Sequence, residues 1–291
     1  MQTTQRIAGR ERWAWLGWSL AFFVLQAGTP FITVPLKWVW AGTLLSTLLL
    51  MATLLGLIFS LAYQTERHRW LSLAMLIGGV LLWTGGGLLP RLLGWSADNR
   101  PPIAVFALYQ TMVYYLLLVS AVGLGTLLSR IVREKNLLVP VVPFAAMVDV
   151  LTVLAPGGFV KRVMEQAPEI AERASVAVTA VPSAMETFER VVPIVIIGVG
   201  DFVFLALYAA CLWRFQLRVR PTAIGLFLVL WVYLMIVMLG YAPKLPALVP
   251  MAVAFLAINW REFRLSPQEK FASLLVVGLV IGFIGWLFWR P

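Results

Sequence analysis

The sequence predicts an all-α polytopic membrane protein with about nine transmembrane helices. Three observations predict it. The chain is 61% hydrophobic and only 12% charged, roughly half the charged fraction of a soluble domain. Its mean hydropathy is +0.90. Its apolar residues form long continuous runs rather than ten-residue alternating segments, which points to helices and away from an outer-membrane barrel.

The elements follow in order. Met1–Arg12 is polar, with Arg6, Arg10 and Arg12, and shows no A-x-A-like cleavage site, so it reads as an uncleaved leading segment. The first span is Trp13–Val34, weakened by Gly28-Thr29-Pro30. The second is Trp38–Gln64, and the third is Trp70–Leu89 with Gly85-Gly86-Gly87 near its end. A loop over Pro90–Pro102 leads to the fourth span, Ile103–Ser129, and then the fifth, Leu137–Leu154. Ala155–Arg190 is the longest polar excursion. The sixth span is Val191–Trp213 and the seventh Ala223–Tyr241. The eighth, Leu245–Ile258, is short for a full crossing, and Pro246 and Pro250 make its first turn irregular. Irregular backbone at membrane depth is tolerated where it lines a cavity. The ninth span is Phe271–Trp289. The chain divides into a four-helix scaffold (1–136), a core (137–258) and a last loop with an extra helix (259–291).

Composition excludes several functions. The net charge of +10 is spread over short loops, where bases orient helices and meet anionic lipid headgroups; it is not a nucleic-acid footprint. One cysteine, Cys211, excludes an intrachain disulfide and any multi-cysteine metal site. The single histidine, His68, sits in a loop, so Ser-His or Cys-His chemistry at membrane depth has no base. No H-E-x-x-H occurs, and no cofactor or metal is expected. With the N-terminus cytoplasmic, the inside segments hold fourteen of the 23 Lys and Arg residues, and the bias favours that orientation.

The acids are few. All ten glutamates and Asp98 fall in loops or termini, so Asp149 and Asp201 are the only formal charges within the apolar spans. No basic partner shares that depth, and an intramembrane carboxylate is a functional-site hypothesis by default. The blandest alternative is a pair of protonated structural carboxyls; another is a proton relay in a transporter. Two carboxyls that approach closely cannot both ionise, so they share a proton, as in aspartic proteases. The ionised member can then act as base on a water while the protonated member polarises a carbonyl. Gly198 and Gly200 precede Asp201, and on a helix Gly198 would share its face, letting a neighbouring backbone bring Asp149 near.

These residues carry a resemblance. Asp149 with the following VLTVLAPGGFVKRVMEQAPE resembles the first catalytic segment of presenilins. Gly198–Phe204, GVGDFVF, resembles the second, the G-x-G-D motif of presenilins and signal peptide peptidases. Pro246-Ala247-Leu248 resembles the P-A-L motif of the same family, and its value lies in its order: Asp, then G-x-G-D, one helix, then P-A-L. The resemblance covers about Leu137–Ile258 and implies a presenilin-like core. It implies an intramembrane aspartyl protease with Asp149 and Asp201 as the catalytic pair. Gly198, Gly200, Pro246, Ala247 and Leu248 would shape the active site and help place substrate. The partners implied are transmembrane protein substrates and membrane lipids; accessory subunits are not implied. The compact loops suit a microbial enzyme of a prokaryotic cell membrane.

The chain departs from the family in places. Val148 stands where the family usually has Tyr, and one span follows the P-A-L helix where presenilins have none. With the N-terminus inside, the helix bearing Asp149 runs outward, as in signal peptide peptidases. In the connecting loop, Val160, Val163, Met164, Ala167 and Ile170 recur at helical spacing between charges, which suits a surface helix or a solvated connector. A prepilin-peptidase-like enzyme is the rival protease, but it would bring cytoplasmic cysteine pairs and needs no P-A-L.

Overall fold

The computed structural model describes residues 13–95, 101–154, Gln166, 173–179, 193–239 and 246–289. Among the described residues the chain is predominantly helical. The helices are α1 (Ala14–Gly28), α2 (Val39–Arg67), α3 (Arg69–Leu92), α4 (Ile103–Ser129), α5 (Leu138–Leu154), α6 (Val199–Arg214), α7 (Val219–Met238), α8 (Leu248–Asn259) and α9 (Pro267–Trp289). Two short strands, β1 (Ser175–Thr179) and β2 (Pro193–Gly198), form an antiparallel pair between α5 and α6 in the chain. Among the described residues, five stretches are long and apolar enough to cross a membrane: Leu36–Arg67, Arg69–Leu92, Ile103–Ser129, Lys135–Val153 and Val219–Met238. Their apolar exposure, with Trp70 at 74% and Leu92 at 78%, makes the chain a membrane-embedded protein rather than one with a single solvated surface.

The sixth span is where structure and sequence differ. The expected helix over Val191–Trp213 begins only at Val199, because Pro193–Gly198 is a strand. Its run of Ile194, Val195, Ile196 and Ile197 is β-branched throughout, and Pro193 stands at the strand's first residue, where proline is tolerated. An unbroken apolar run does not by periodicity distinguish a buried strand from a helix. The sixteen-residue α6 is about 24 Å long, short of a hydrocarbon core of about 30 Å. The surface helix considered over 159–173 lies outside the described residues except for Gln166 and Arg173.

Packing groups the chain into two units, Met1–Leu127 with Ser175–Ala206, and Leu128–Ala174 with Leu207–Pro291. In the first, α1 packs on α2, and Gly56 makes room for the Trp18 indole. Helices α3 and α4 meet backbone to backbone. A Cβ on Gly123 would stand 2.5 Å from the Leu76 amide nitrogen, and one on Gly79 2.9 Å from the Ser120 Cβ. Small residues at such crossings let helices pack where hydrocarbon supplies no hydrophobic drive. Buried hydroxyls such as Thr111 and Thr126 donate to carbonyls one turn back, so their helices carry no unmet polar group there. The side-chain amide of Gln26 on α1 donates to the Ala177 carbonyl of β1 at 3.1 Å.

In the second unit α8 packs against both α5 and α7, and α9 against α5. Three connections meet at one end. The Asn136 amide donates to the Arg264 carbonyl at 2.9 Å and to the Glu269 carboxylate at 3.3 Å. The Arg214 guanidinium donates to the Ser129 carbonyl at 3.2 Å. The Arg218 amide donates to Oδ1 of the fully buried Asn259 at 3.1 Å, and Asn259 donates to the Thr222 hydroxyl at 2.8 Å.

Candidate active site

The site is built on helix beginnings. The first N–H groups of a helix have no intrahelical acceptor. At α8 the preceding residue, Ala247, offers no side-chain cap, and Pro250 has no N–H to satisfy. That leaves the Leu248 amide as a donor in need of an acceptor, and the acceptor is Asp149: Leu248 N–H donates to Asp149 Oδ2 at 3.1 Å. Pro246 and Leu248 are buried, so this junction is packed. The chain irregularity expected at Pro246 is present, since the helix starts only at Leu248.

Asp149 is half-buried on the last part of α5, and one turn on, Thr152 donates its hydroxyl to the Asp149 carbonyl at 3.0 Å. The carboxyl is thus anchored at one oxygen by a backbone donor. A carboxylate at a helix N-terminus also lies at the positive end of the macrodipole.

Asp201 occupies the first turn of α6, also half-buried. Strand β2 ends at Gly198 and α6 begins at Val199, so Asp201 follows a strand-to-helix turn. This corrects the geometry expected for the glycines. Gly198 closes a strand and does not share a helical face with Asp201. A Cβ there would come no nearer than 3.9 Å to Asp201 Oδ2. At Gly200 a Cβ would meet nothing within 4 Å among the described residues, so helix crossing does not explain it. Beyond this point α6 is buried on every face, from Leu205 to Leu212.

The structure therefore joins Asp149 to the Pro246-Ala247-Leu248 junction within the second unit. Asp201, Gly198 and Gly200 belong to the first unit. Among the described residues no group of three or more His, Cys, Asp or Glu side chains could hold a metal ion. A small, mostly apolar cavity of about 30 Å³ in the first unit is lined by Gln26, Ile103, Phe106, Gln110 and Tyr114 among others, and none of the expected site residues lines it. Sequence reasoning passed over the Leu248 amide, which carries no side-chain signal. Comparison with protein-family models, curated proteins and solved structures gives no match to this chain.

Proposed function

We propose that the chain is an intramembrane aspartyl endopeptidase that hydrolyses peptide bonds of transmembrane helical substrates with an Asp149/Asp201 pair. The observation that carries the reading is the hydrogen bond from Leu248 N–H to Asp149 Oδ2 across 99 residues of sequence. It ties an acid in an apolar span to the tripeptide that the presenilin-like order would put beside it. In this reading the ionised carboxyl takes a proton from a water that attacks the scissile carbonyl. The protonated one hydrogen-bonds the carbonyl oxygen, and the proton gained passes to the departing amine as the C–N bond breaks. Strand β2 supports it further. An unwound substrate segment needs an extended partner for its backbone groups, and β2 ends three residues before Asp201.

The proposed protein is multi-pass, with about nine spans and a cytoplasmic N-terminus, in a prokaryotic membrane. Purified protein reconstituted with a model single-pass substrate tests the chemistry. Asp149→Ala and Asp201→Ala should each lower cleavage by about 10²–10⁴-fold or more. Cleavage that survives either substitution sinks the reading, and proton-driven flux in liposomes without any cleavage would put a transporter in its place.

A further inference from the structure

Helix α1 carries one amide side chain, Gln26, in a largely apolar segment. The residue is buried. A buried amide is costly unless it is hydrogen-bonded, and methionine would fill much the same space without that cost, so packing does not account for it. Its partner is not on a neighbouring helix. Gln26 Nε2 donates to the Ala177 carbonyl of β1 at 3.1 Å, across 151 residues of sequence. In the two-stranded sheet Ala177 stands opposite Ile196 of β2. A hairpin of two strands is marginal by itself, so a tie from one strand to a helix bears on whether both stay formed. The strands differ in their surroundings. On β1, Ser175 and Val176 are buried; on β2, Ile196 is 48% exposed and Gly198 is exposed. The sheet thus has a covered strand, tied to α1, and a more open one that runs directly into α6. Gln26, both strands and the first turn of α6 belong to the same unit.

We propose that Gln26 is a positioning residue for substrate. By pinning β1 to α1 it keeps the hairpin formed before substrate arrives. The outer backbone groups of β2 are then already extended to receive an unwound segment. Order supplied by Gln26 is order that substrate binding need not supply, which lowers KM and leaves the bond-breaking step alone. The substrate role rests on the endopeptidase reading, whereas the hold of Gln26 on the hairpin can be observed without it.

The experiment uses the full chain in liposomes and the variant Gln26→Met, which keeps an unbranched side chain and loses the donor. Amide hydrogen exchange, read by mass spectrometry, should become about three- to tenfold faster within Ser175–Thr179 and Pro193–Gly198, the effect of one neutral hydrogen bond. Helix α2, which packs on α1, should keep its native protection. KM for a model transmembrane substrate should rise by a similar factor with kcat unchanged. A chain that merely folds less well would instead lose kcat, through fewer active molecules, and keep its KM. Unchanged exchange in the two strands overturns the proposal. Loss of protection in α2 as well overturns it too, because Gln26 then serves the fold of the whole unit. Faster strand exchange with an unchanged KM overturns the substrate role. If the native chain cleaves nothing, the endopeptidase reading fails by itself, and the exchange rates still decide whether Gln26 holds the hairpin.

Discussion

Asp149 is held by a backbone donor, and that choice has consequences. A side-chain partner can swing away; the Leu248 amide is fixed by the start of α8 and by the buried Pro246 before it. The contact can be removed without disturbing the side chain. Replacing Leu248 by its α-hydroxy analogue turns the amide into an ester, deleting the N–H and keeping the isobutyl group, which is 2% exposed. A hydrogen bond to a charged group contributes about 1.5–3 kcal/mol, so cleavage should fall about tenfold or more. Steady-state kinetics of the ester variant against Leu248→Ala, which keeps the N–H, separates the bond from the packing. If the ester variant is as active as the native chain, Leu248 N–H is a helix cap and nothing else.

At the scale of the element, helix beginnings again decide the outcome. Helix α9 opens on Ser266-Pro267-Gln268-Glu269, a capping box with proline at the first helical position. Ser266 N–H donates to Glu269 Oε2 at 2.6 Å, and Glu269 N–H donates to the Ser266 hydroxyl at 3.3 Å. The Ser266 amide, then the Ser266 hydroxyl and the Asn136 amide, hold the Glu269 carboxyl below the ordinary glutamate range, against a smaller opposing effect of desolvation. A depressed folded-state pKa stabilises the fold above the unfolded-state pKa, and that contribution is lost as pH falls through the folded value. The Tm gap between the native chain and Glu269→Gln should therefore be constant from neutral to mildly acid pH. It should close only below about pH 4, under the unfolded glutamate value. A gap that closes between pH 6 and 5 would contradict this account. The S-x-x-E spacing was legible in the sequence, yet reading 259–270 as a loop, with the ninth span starting at Phe271, missed it. By contrast, the strand at Pro193–Gly198 was hidden inside an apolar run that a bilayer-length window joins to α6.

Across the whole molecule, side chains and loops give the second unit a distinct end. The connections around Ser129–Asn136, Arg214–Arg218 and Asn259–Glu269 are hydrogen-bonded to one another. They carry Arg130, Arg133, Lys135, Arg214, Arg218, Arg261 and Arg264, against Glu134, Glu262 and Glu269. In the proposed orientation this excess of bases faces the cytoplasm, as the positive-inside rule expects. The Arg218–Glu262 pair at 3.0 Å is largely exposed, so it adds about 0–1 kcal/mol and does not set the arrangement. Cysteines placed at Arg133 and Arg264 should both react with an impermeant thiol reagent only from the cytoplasmic side. The native Cys211, 0% exposed, should stay silent without any substitution. Labelling of the two positions from opposite sides would break the common end; labelling of both from outside would invert the proposed orientation.

By itself the sequence determined the helical membrane class, the positions of most helices and the isolation of Asp149 and Asp201 among apolar residues. It could do so because transfer into hydrocarbon acts on each residue's side chain and adds along a segment. Only the tertiary structure decided that β2 precedes Asp201, that Gly198 ends a strand, and that Asp149 is met by the Leu248 amide. Those outcomes rest on backbone groups, which every non-proline residue carries alike. Which N–H reaches which carboxyl is settled by where helices begin and how α5 and α8 pack, and no letter of the sequence spells that out.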